Sequence, residues 1–355
     1  MLNAIAENSL IDRLVRGLPR SPFQLNRVHQ ADAEILLLPG TSGMRLAVTT
    51  DTLAEEIRMG LYTEPGLIGW MTVMASMSDL AAVGASPLGI LIAETIPQTC
   101  PESFLRGVQE GIGDACRACA TAVLGGDTNV GEPMSLTGCA VGMLDRGEAL
   151  TRVGCAPGEV LYVSGRLGSG NAYAFATLTG RNGRRPSYRP KARLAEGQML
   201  GGFASACMDT SDGVLATLDQ LMRLNGVGFV LEQERWQAAL DPASRCLLQD
   251  CDLPEWFLLA GPHGEFELLF TLPPGREGAF LAEANGHGWH PLRLGRTIAV
   301  PEIRLAVGDS ERRLDTGGIR NLASPTPGAM ASYLTALREI GERCTQTPRE
   351  ETARR

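Results

Sequence analysis

The sequence predicts an α+β protein made of two domains. Its 355 residues are too many for one ordinary core and suit two domains of about 150 residues each. Segments with apolar residues at helical spacing alternate with short apolar segments typical of strands. Near residue 147 a second series of this kind begins. We therefore predict domains at residues 1–147 and 148–325, followed by a polar tail at 326–355.

Each element of the first domain has its own signal. Residues 7–18 and 66–84 carry apolar residues at helical spacing, and Gly84 ends the second of these helices. The turn at residues 39–43 separates the first two strands. The predicted order is helix 7–18, strands Ile35–Leu38 and Arg45–Thr50, helix 66–84, strand Leu88–Ile96, helix Phe104–Ala122 and strand Ser135–Leu144.

The second series begins with an apolar strand, and a Gly/Arg/Pro-rich linker at 180–191 interrupts it. The tail is expected to form one helix followed by disorder, because it turns polar after about residue 325. The predicted order is strand Val160–Ser164, helix Gly170–Thr179, helix 192–204, helix Val214–Leu224, and strands Val227–Leu231, Glu267–Thr271 and Pro291–Ile298.

Composition excludes several classes of function. The net charge of −8 argues against a nucleic-acid-binding protein, which needs a concentrated basic face. The basic run Arg181–Arg193 has two interpretations, a solvated loop or a phosphate-facing loop. No segment approaches the ~20 continuous apolar residues of a membrane span, and the N-terminus lacks a signal-peptide pattern. We therefore expect a cytoplasmic protein with no nucleic-acid or membrane partner.

Aspartates flanked by small or hydroxylated residues are the most informative feature. Each alone would pass as a helix cap or a turn residue, except that Asp79 lies inside an apolar helix, where a carboxylate is costly unless paired or metal-bound. The segments are Thr49-Thr50-Asp51-Thr52, Ser78-Asp79-Leu80, Gly125-Gly126-Asp127-Thr128 and Asp209-Thr210-Ser211-Asp212-Gly213, with Asp32 in Gln30-Ala31-Asp32-Ala33-Glu34 as a fifth locus.

Taken together, these aspartates predict a site for Mg²⁺ and ATP. Mg²⁺ prefers carboxylate oxygens and bridges nucleotide phosphates, so it recruits carboxylates from several elements. Phosphoryl transfer depends mainly on positioning and charge neutralisation, which metal ions and backbone N–H groups supply. Small neighbouring residues allow phosphates to approach the backbone. The expected reaction is phosphorylation or activation of a small, anionic metabolite.

The order and the amino-acid sequences of these segments resemble those of the thiamine-monophosphate kinase family. The resemblance extends to the superfamily of aminoimidazole ribonucleotide (AIR) synthetase, selenophosphate synthetase and the hydrogenase-maturation dehydratase. It runs from about residue 32 to residue 298. It rests on Val48–Leu53, Met77–Leu88, Leu124–Thr128, Pro157–Gly165, Pro190–Leu200, Met208–Val214 and Glu267–Phe270.

The resemblance implies a fold and a set of site residues. The N-terminal domain would bind ATP and metal and would join its sheet to a partner's sheet, forming a barrel across a homodimer. The C-terminal domain would be a mixed sheet covered by helices. By position, the implied metal or phosphate ligands are Asp32, Asp51, Asp79, Asp127, Asp209 and Asp212, with Asp127 and Asp212 catalytic and Thr50, Gly126 and Ser211 as supporting contacts to the nucleotide.

Departures from the kinase pattern concentrate where that family holds its acceptor. Ala31 replaces the first of two adjacent aspartates, and Glu56–Met59 replace a His-Phe pair. Pro262–Glu267 replace Gly-Gly-Glu-Asp-Tyr-Glu, and Gly318–Leu322 replace an aromatic-Asp-His-Phe segment. Arg58 and Glu265 are therefore the predicted substrate-binding residues, since Arg58 could hold a carboxylate or phosphate bidentately. The chemistry is expected to persist, whereas the acceptor is expected to differ.

Three functions remain open from the sequence. The leading one is an ATP-dependent phosphotransferase of the thiamine-monophosphate kinase type. The second is ATP-dependent activation of an amide or carboxamide oxygen, followed by dehydration, cyclisation or amidine formation as in AIR synthetase. The third is a non-catalytic nucleotide-binding protein, because Ala31 and Gly264 stand where the family has acidic residues.

Overall fold

Two mixed β-sheets and the helices around them make up the chain. The structure is a computed structural model, and it describes residues 4–144, 149–308, 310–322 and 328–343. The strands are β1 (Glu34–Leu37), β2 (Arg45–Thr52), β3 (Ser86–Ile96), β4 (Val123–Val130), β5 (Ser135–Leu144), β6 (Val160–Val163), β7 (Ala206–Asp209), β8 (Gly228–Glu232), β9 (Leu268–Leu272), β10 (Leu292–Ile298), β11 (Ile303–Val307) and β12 (Ser310–Leu314).

Thirteen α-helices accompany these strands in the described part of the chain. They are α1 (Ala6–Val15), α2 (Ala54–Arg58), α3 (Pro65–Ala82), α4 (Glu102–Ala118), α5 (Ser169–Leu178), α6 (Leu194–Leu200), α7 (Val214–Asn225), α8 (Gln233–Ala239), α9 (Pro242–Asp250), α10 (Phe257–Ala260), α11 (Pro274–Gly286), α12 (Thr316–Arg320) and α13 (Met330–Arg343).

The first sheet has the order β1-β2-β5-β3-β4 and is open, with β1 and β4 at its edges. Only the β3–β4 pair is parallel, and the other neighbours are antiparallel. Helix α3 packs on one face, and α4 packs against α3. The two helices can approach closely because residue 69 of α3 is glycine. A Cβ at Gly69 would lie 2.0 Å from the Val108 carbonyl oxygen of α4.

The second sheet has seven strands in the order β12-β11-β8-β10-β6-β9-β7. Its strands β6, β7 and β9 are buried at every position, which explains their continuous apolar sequences. One core contains Leu218, Phe229 and Leu258, and a smaller one contains Phe280 and Trp289.

Helix α3 connects the two sheets. It packs against β2, β3 and β5 of the first sheet and against β7 of the second. Helix α6 also approaches it closely, since a Cβ at Gly197 would lie 2.0 Å from the Ala81 carbonyl oxygen. Most residues of α3 are buried, from Ile68 to Ala82, so its sequence is apolar on all sides rather than on one stripe.

The expected α+β class with two sheets is confirmed. The first sheet does not close into a barrel within the chain, because its end strands β1 and β4 do not pair with each other. The expected domain boundary at 147 falls in residues 145–148, which lie outside the described residues. The predicted disorder in the tail beyond residue 343 also lies outside them. No helix in the described ranges has the length and apolar character needed to cross a bilayer.

Candidate active site

Three aspartates from distant parts of the chain converge beside α3. Asp32 precedes β1, Asp79 lies near the end of α3, and Asp209 ends β7. Carboxylate oxygens of the three, one from each, lie within 4.8 Å of one another. They meet because α3 packs against β7 on one side and against the first sheet on the other.

Hydroxyl groups orient these carboxylates. Thr49 donates its Oγ1 hydrogen to Asp79 Oδ2 at 2.5 Å. Ser78 donates to Asp209 Oδ2 at 2.6 Å, and Ser211 donates to Asp209 Oδ1 at 2.7 Å. The small and hydroxylated residues next to each aspartate therefore fix the directions of the carboxylate oxygens.

Asp51 lies next to this cluster and has an unsatisfied oxygen. It is on β2, and its carboxyl interacts with Asp79 and with Ser76 of α3. Its Oδ2 atom is buried and has no hydrogen-bond partner among the described residues. An unpaired buried carboxylate oxygen is costly, so a cation at this point would remove a real penalty.

The electrostatics of the cluster also call for a cation. Burial raises the pKa of Asp79 well above its ordinary value, and the charges of Asp51 and Asp209 raise it further. Burial, with the charge of Asp32, raises the pKa of Asp209 to about 7. Burial likewise raises the pKa of Asp51. The donor set consists of hard oxygen atoms, which are the ligands that Mg²⁺ prefers, so these residues fit that ion.

Arg152 neutralises part of this charge, and sequence reasoning missed it. Its Nη2 lies 2.9 Å from Asp32 Oδ1 and its Nε 3.2 Å from Asp32 Oδ2. Burial opposes the positive charge, but the Asp32 carboxylate outweighs that effect and raises the pKa of Arg152. Because the two residues are 120 positions apart, no local pattern could have predicted the pair.

Asp127 does not join the cluster within one chain. Strand register places it beside Ala93, which is opposite Thr137, which is opposite Thr52. Paired residues share a face of a sheet, so Asp127 lies on the face of Thr52, opposite to that of Asp51. Three strand spacings, about 14 Å, separate β4 from β2. In the structure Asp127 accepts a hydrogen bond from Asn129 at 2.8 Å.

The predicted nucleotide contacts also fall in different places. Thr50 points to the same open face as Thr52 and donates to the Gly138 carbonyl oxygen at 3.1 Å. Gly126 lies on the edge strand β4, and Ser211 lies at the cluster. Asp212 is one residue further and lines a cleft.

That cleft, of about 350 Å³, lies between α2 and the second sheet's helices. It contains residues from three of the segments that depart from the kinase pattern. Its lining comprises Glu7, Glu55, Glu56, Met59, Asp212, Ala216, Ala260, Pro262, His263, Ile319, Arg320, Leu322 and Tyr333.

The two residues expected to bind substrate lie elsewhere. Arg58 is exposed and is not in the cleft lining, whereas Glu55, Glu56 and Met59 of the same segment are. Helical geometry separates Arg58 from each of these three side chains by about 60° or more around the helix axis. Glu265 is buried, and its Oε1 accepts hydrogen bonds from Gly168 N at 2.8 Å and Gly170 N at 3.0 Å. It therefore caps the start of α5.

The basic run Arg181–Arg193 forms a partly exposed loop whose arginines pair with acidic residues. Arg184 pairs with Asp250, Arg185 with Glu64, Arg189 with Asp114 and Arg193 with Glu267. These ion pairs neutralise the positive charge that a phosphate-facing loop would need. They therefore favour the interpretation of this run as a solvated loop.

The free energy of unfolding is expected to fall less steeply with rising pH in Glu265→Gln than in the unaltered protein. Burial raises the pKa of Glu265 from 4.5 to about 8. A carboxyl that stays protonated only in the folded protein makes the free energy of unfolding fall between these values, by at most about 1.4 kcal/mol per pH unit. Gln keeps the oxygen that accepts both hydrogen bonds and cannot ionise. Urea unfolding at pH 5, 6, 7 and 8 measures the slope, and equal slopes in both proteins would contradict the assignment.

Comparisons with known proteins extend over both sheets. Residues 30–144 match the family model described as AIR synthase related protein, N-terminal domain. The chain is 30% identical to the thiamine-monophosphate kinase of Escherichia coli (strain K12) over 338 residues, which cover 91% of this chain and 100% of that protein.

Solved structures agree with that likeness. The thiamine-monophosphate kinase of Stenotrophomonas maltophilia K279a matches with a TM-score of 0.66 at 29% identity, covering 85% of this chain and 96% of the other. The structure of AaThiL complexed with AMPPCP and TMP matches with a TM-score of 0.69 at 23% identity, covering 86% and 96%. At that lower identity the likeness concerns the fold alone.

Proposed function

Because the chain belongs to the thiamine-monophosphate kinase family, we propose that its aspartate cluster holds Mg²⁺ for phosphoryl transfer from ATP. Membership makes the protein an ATP-dependent kinase acting on a small molecule. The observation that carries the metal proposal is the convergence of Asp32, Asp79 and Asp209 beside the unpartnered Oδ2 of Asp51. Activation of an amide oxygen, as in AIR synthetase, has less support because the matched relatives at about 30% identity are thiamine-monophosphate kinases.

The chain's own residues supply position and charge. When bound, Mg²⁺ neutralises and aligns the phosphates. Thr49, Ser78 and Ser211 hold the carboxylates of Asp79 and Asp209 in fixed directions, so little reorganisation is needed when the ion arrives. Arg152 keeps Asp32 in place. An anionic acceptor group is ionised at pH 7 and needs no strong base. The cleft lined by Asp212 is our candidate acceptor site.

We also propose that a second copy of the chain covers the open face of the first sheet. All eight positions of the edge strand β4 are exposed, including Leu124 and Val130, which are 57% and 73% exposed. A long exposed apolar edge invites pairing with another strand. Within this proposal, residues 1–147 form the nucleotide and dimerisation domain and residues 148–325 the second domain.

The dimer predicts a solution mass of twice the chain's 37.8 kDa in light scattering at micromolar concentration. Leu91→Arg should dissociate it, because Leu91 projects from the open face and is 41% exposed. Val307→Arg is the matched control, since Val307 is 47% exposed on the second sheet. A monomer in the unaltered protein would refute the proposal.

Thiamine monophosphate is expected to be a poor acceptor, and this assay also tests the kinase function. The cleft is lined by Glu56, Met59, His263, Ile319 and Leu322, all from segments that differ from the kinase pattern. A site lacking partners for a substrate's polar groups loses orders of magnitude in discrimination.

The measurement incubates the protein with ATP, Mg²⁺ and thiamine monophosphate and quantifies thiamine diphosphate, with the Escherichia coli kinase as positive control. Turnover of ~1 s⁻¹ or more, typical of metabolic enzymes, would contradict the expectation. Transfer from ATP to other small phosphorylated or carboxylated acceptors would support the kinase function, and its absence across a broad panel would count against it.

A further inference from the structure

The cleft beside Asp212 is acidic on one side and apolar on the other. Its four carboxylates are Glu7, Glu55, Glu56 and Asp212, and its apolar surface includes Met59, Ala260, Ile319 and Leu322. Arg320 is the one arginine in this lining, which contains no lysine. The balance of charge in the cleft is therefore negative.

Arg320 is not available to bind an anion there. Its side chain is 7% exposed and donates to Gln220 Oε1 at 2.8 Å and Asp219 Oδ2 at 3.3 Å. It also lies 3.4 Å from Glu7 Oε2. The guanidinium group is held by these partners, so it joins α12 to α7 and α1 rather than meeting a ligand.

Glu56 has a buried carboxylate oxygen that lacks a partner. Its Oε2 atom is buried and accepts no hydrogen bond within the described residues. Burial raises the pKa of Glu56, and the charges of Glu55, Asp51 and Asp212 raise it further. An unpaired buried carboxylate oxygen is satisfied by a ligand that brings a hydrogen and a positive charge.

His263 adds a second unsatisfied atom at the same cleft. Its Nε2 is buried without a partner in the described part of the chain. Burial lowers the pKa of His263 to about 4, so the ring is neutral at physiological pH. A neutral imidazole does not repel a cation and can form one hydrogen bond with a ligand.

We propose that this cleft receives the non-reacting end of the phosphoryl acceptor and that Glu56 selects a cation bearing N–H, such as a protonated amine. The inference rests on the proposed kinase function and names the substrate class of that site. The acceptor then carries an anionic group toward the aspartate cluster and a cationic N–H group toward Glu56. The thiazolium charge of thiamine monophosphate sits on a nitrogen without hydrogen, so it cannot satisfy Glu56 in this way.

The test compares two small probes of nearly equal shape, benzylamine and benzyl alcohol. Each is titrated by ligand-observed NMR into the full-length protein saturated with Mg²⁺ and AMPPCP. We expect the amine to bind about tenfold more tightly than the alcohol, because a charge-assisted hydrogen bond is stronger than a neutral one. In Glu56→Gln the two affinities should come within about twofold.

Glu102→Gln is the matched control, since it removes one negative charge from a side chain that is 88% exposed on α4. It should keep the preference for the amine. Equal binding of both probes to the unaltered protein, or a tenfold preference surviving in Glu56→Gln, would overturn the proposal. Loss of a bound Mn²⁺ ion in Glu56→Gln, counted by EPR, would instead make Glu56 a metal ligand and also overturn it.

Failure of the kinase proposal has a different signature. If AMPPCP and Mg²⁺ do not bind, the amine and alcohol titrations are repeated with the protein alone. A retained preference that depends on Glu56 then supports the selectivity of the cleft, whereas its absence counts against it.

Discussion

We expect Asp79→Asn to abolish turnover while the protein remains folded. The change removes the charge of a carboxylate at the centre of the cluster and keeps its volume, and losing one such electrostatic contact costs about 10²–10³-fold in rate. Without metal, burial and the charges of Asp51 and Asp209 raise the pKa of Asp79, so its negative charge is unfavourable in the folded protein and Asn removes that charge. We therefore expect the metal-free variant to melt at or above the temperature of the unaltered protein.

Two measurements distinguish a variant that has lost its active site from one that no longer folds. Steady-state phosphoryl transfer gives the activity, and thermal melting with and without Mg²⁺ and AMPPCP gives binding, since a ligand at 100 times its Kd stabilises by about 2.7 kcal/mol. Asp114→Asn is the control, because Asp114 is a surface residue paired with Arg117 and Arg189. Near-normal activity of Asp79→Asn would remove the cluster from the mechanism.

Mixing two inactive variants restores activity if the site is shared between copies. Asp127 lies on the open face of the first sheet, opposite to the face of Asp51, so it serves the reaction only if the site is completed by a second copy of the chain. Asp127→Asn alone should then lose at least about 10²-fold in rate.

A heterodimer of Asp79→Asn and Asp127→Asn has one site in which both residues are intact. Random exchange makes half of the dimers heterodimers, so the mixture should recover about one quarter of the unaltered activity. The variants are unfolded together at dilute concentration, refolded and assayed. No recovery would contradict a shared site, and an active Asp127→Asn would exclude Asp127 from it.

The sequence predicted those helices and strands that can be recognised from the pattern of neighbouring residues alone. Helix Pro65–Ala82 and strand Ser135–Leu144 agree with the expected 66–84 and Ser135–Leu144, because a long apolar helix and a clear alternating strand depend little on context. Strand β4 was missed, since its Gly-Gly-Asp sequence is typical of a turn. The short strand β7 was missed because four buried residues carry no periodicity.

The aspartate segments predicted which carboxylates to examine, but pairing across the chain decided their geometry. Asp32, Asp79 and Asp209 meet through packing of α3, whereas Asp127 faces away because of strand register. Arg152 had no sequence signal, and the departing segment Glu56–Met59 led to Arg58 rather than to Glu56. The importance of Arg152 and Glu56 arises from burial beside distant carboxylates, which only the three-dimensional structure reveals.

Helix α3 lies between the two sheets and is buried over most of its length. If α3 moves away from one sheet, the other sheet is exposed as well. A packing defect in either core therefore destabilises both. A methionine such as Met74 or Met77, fully buried in that helix, therefore supports more than the sheet it touches. We infer that the two halves unfold as one cooperative unit, and that the carboxylate of Asp79 is carried on a helix restrained by both sheets.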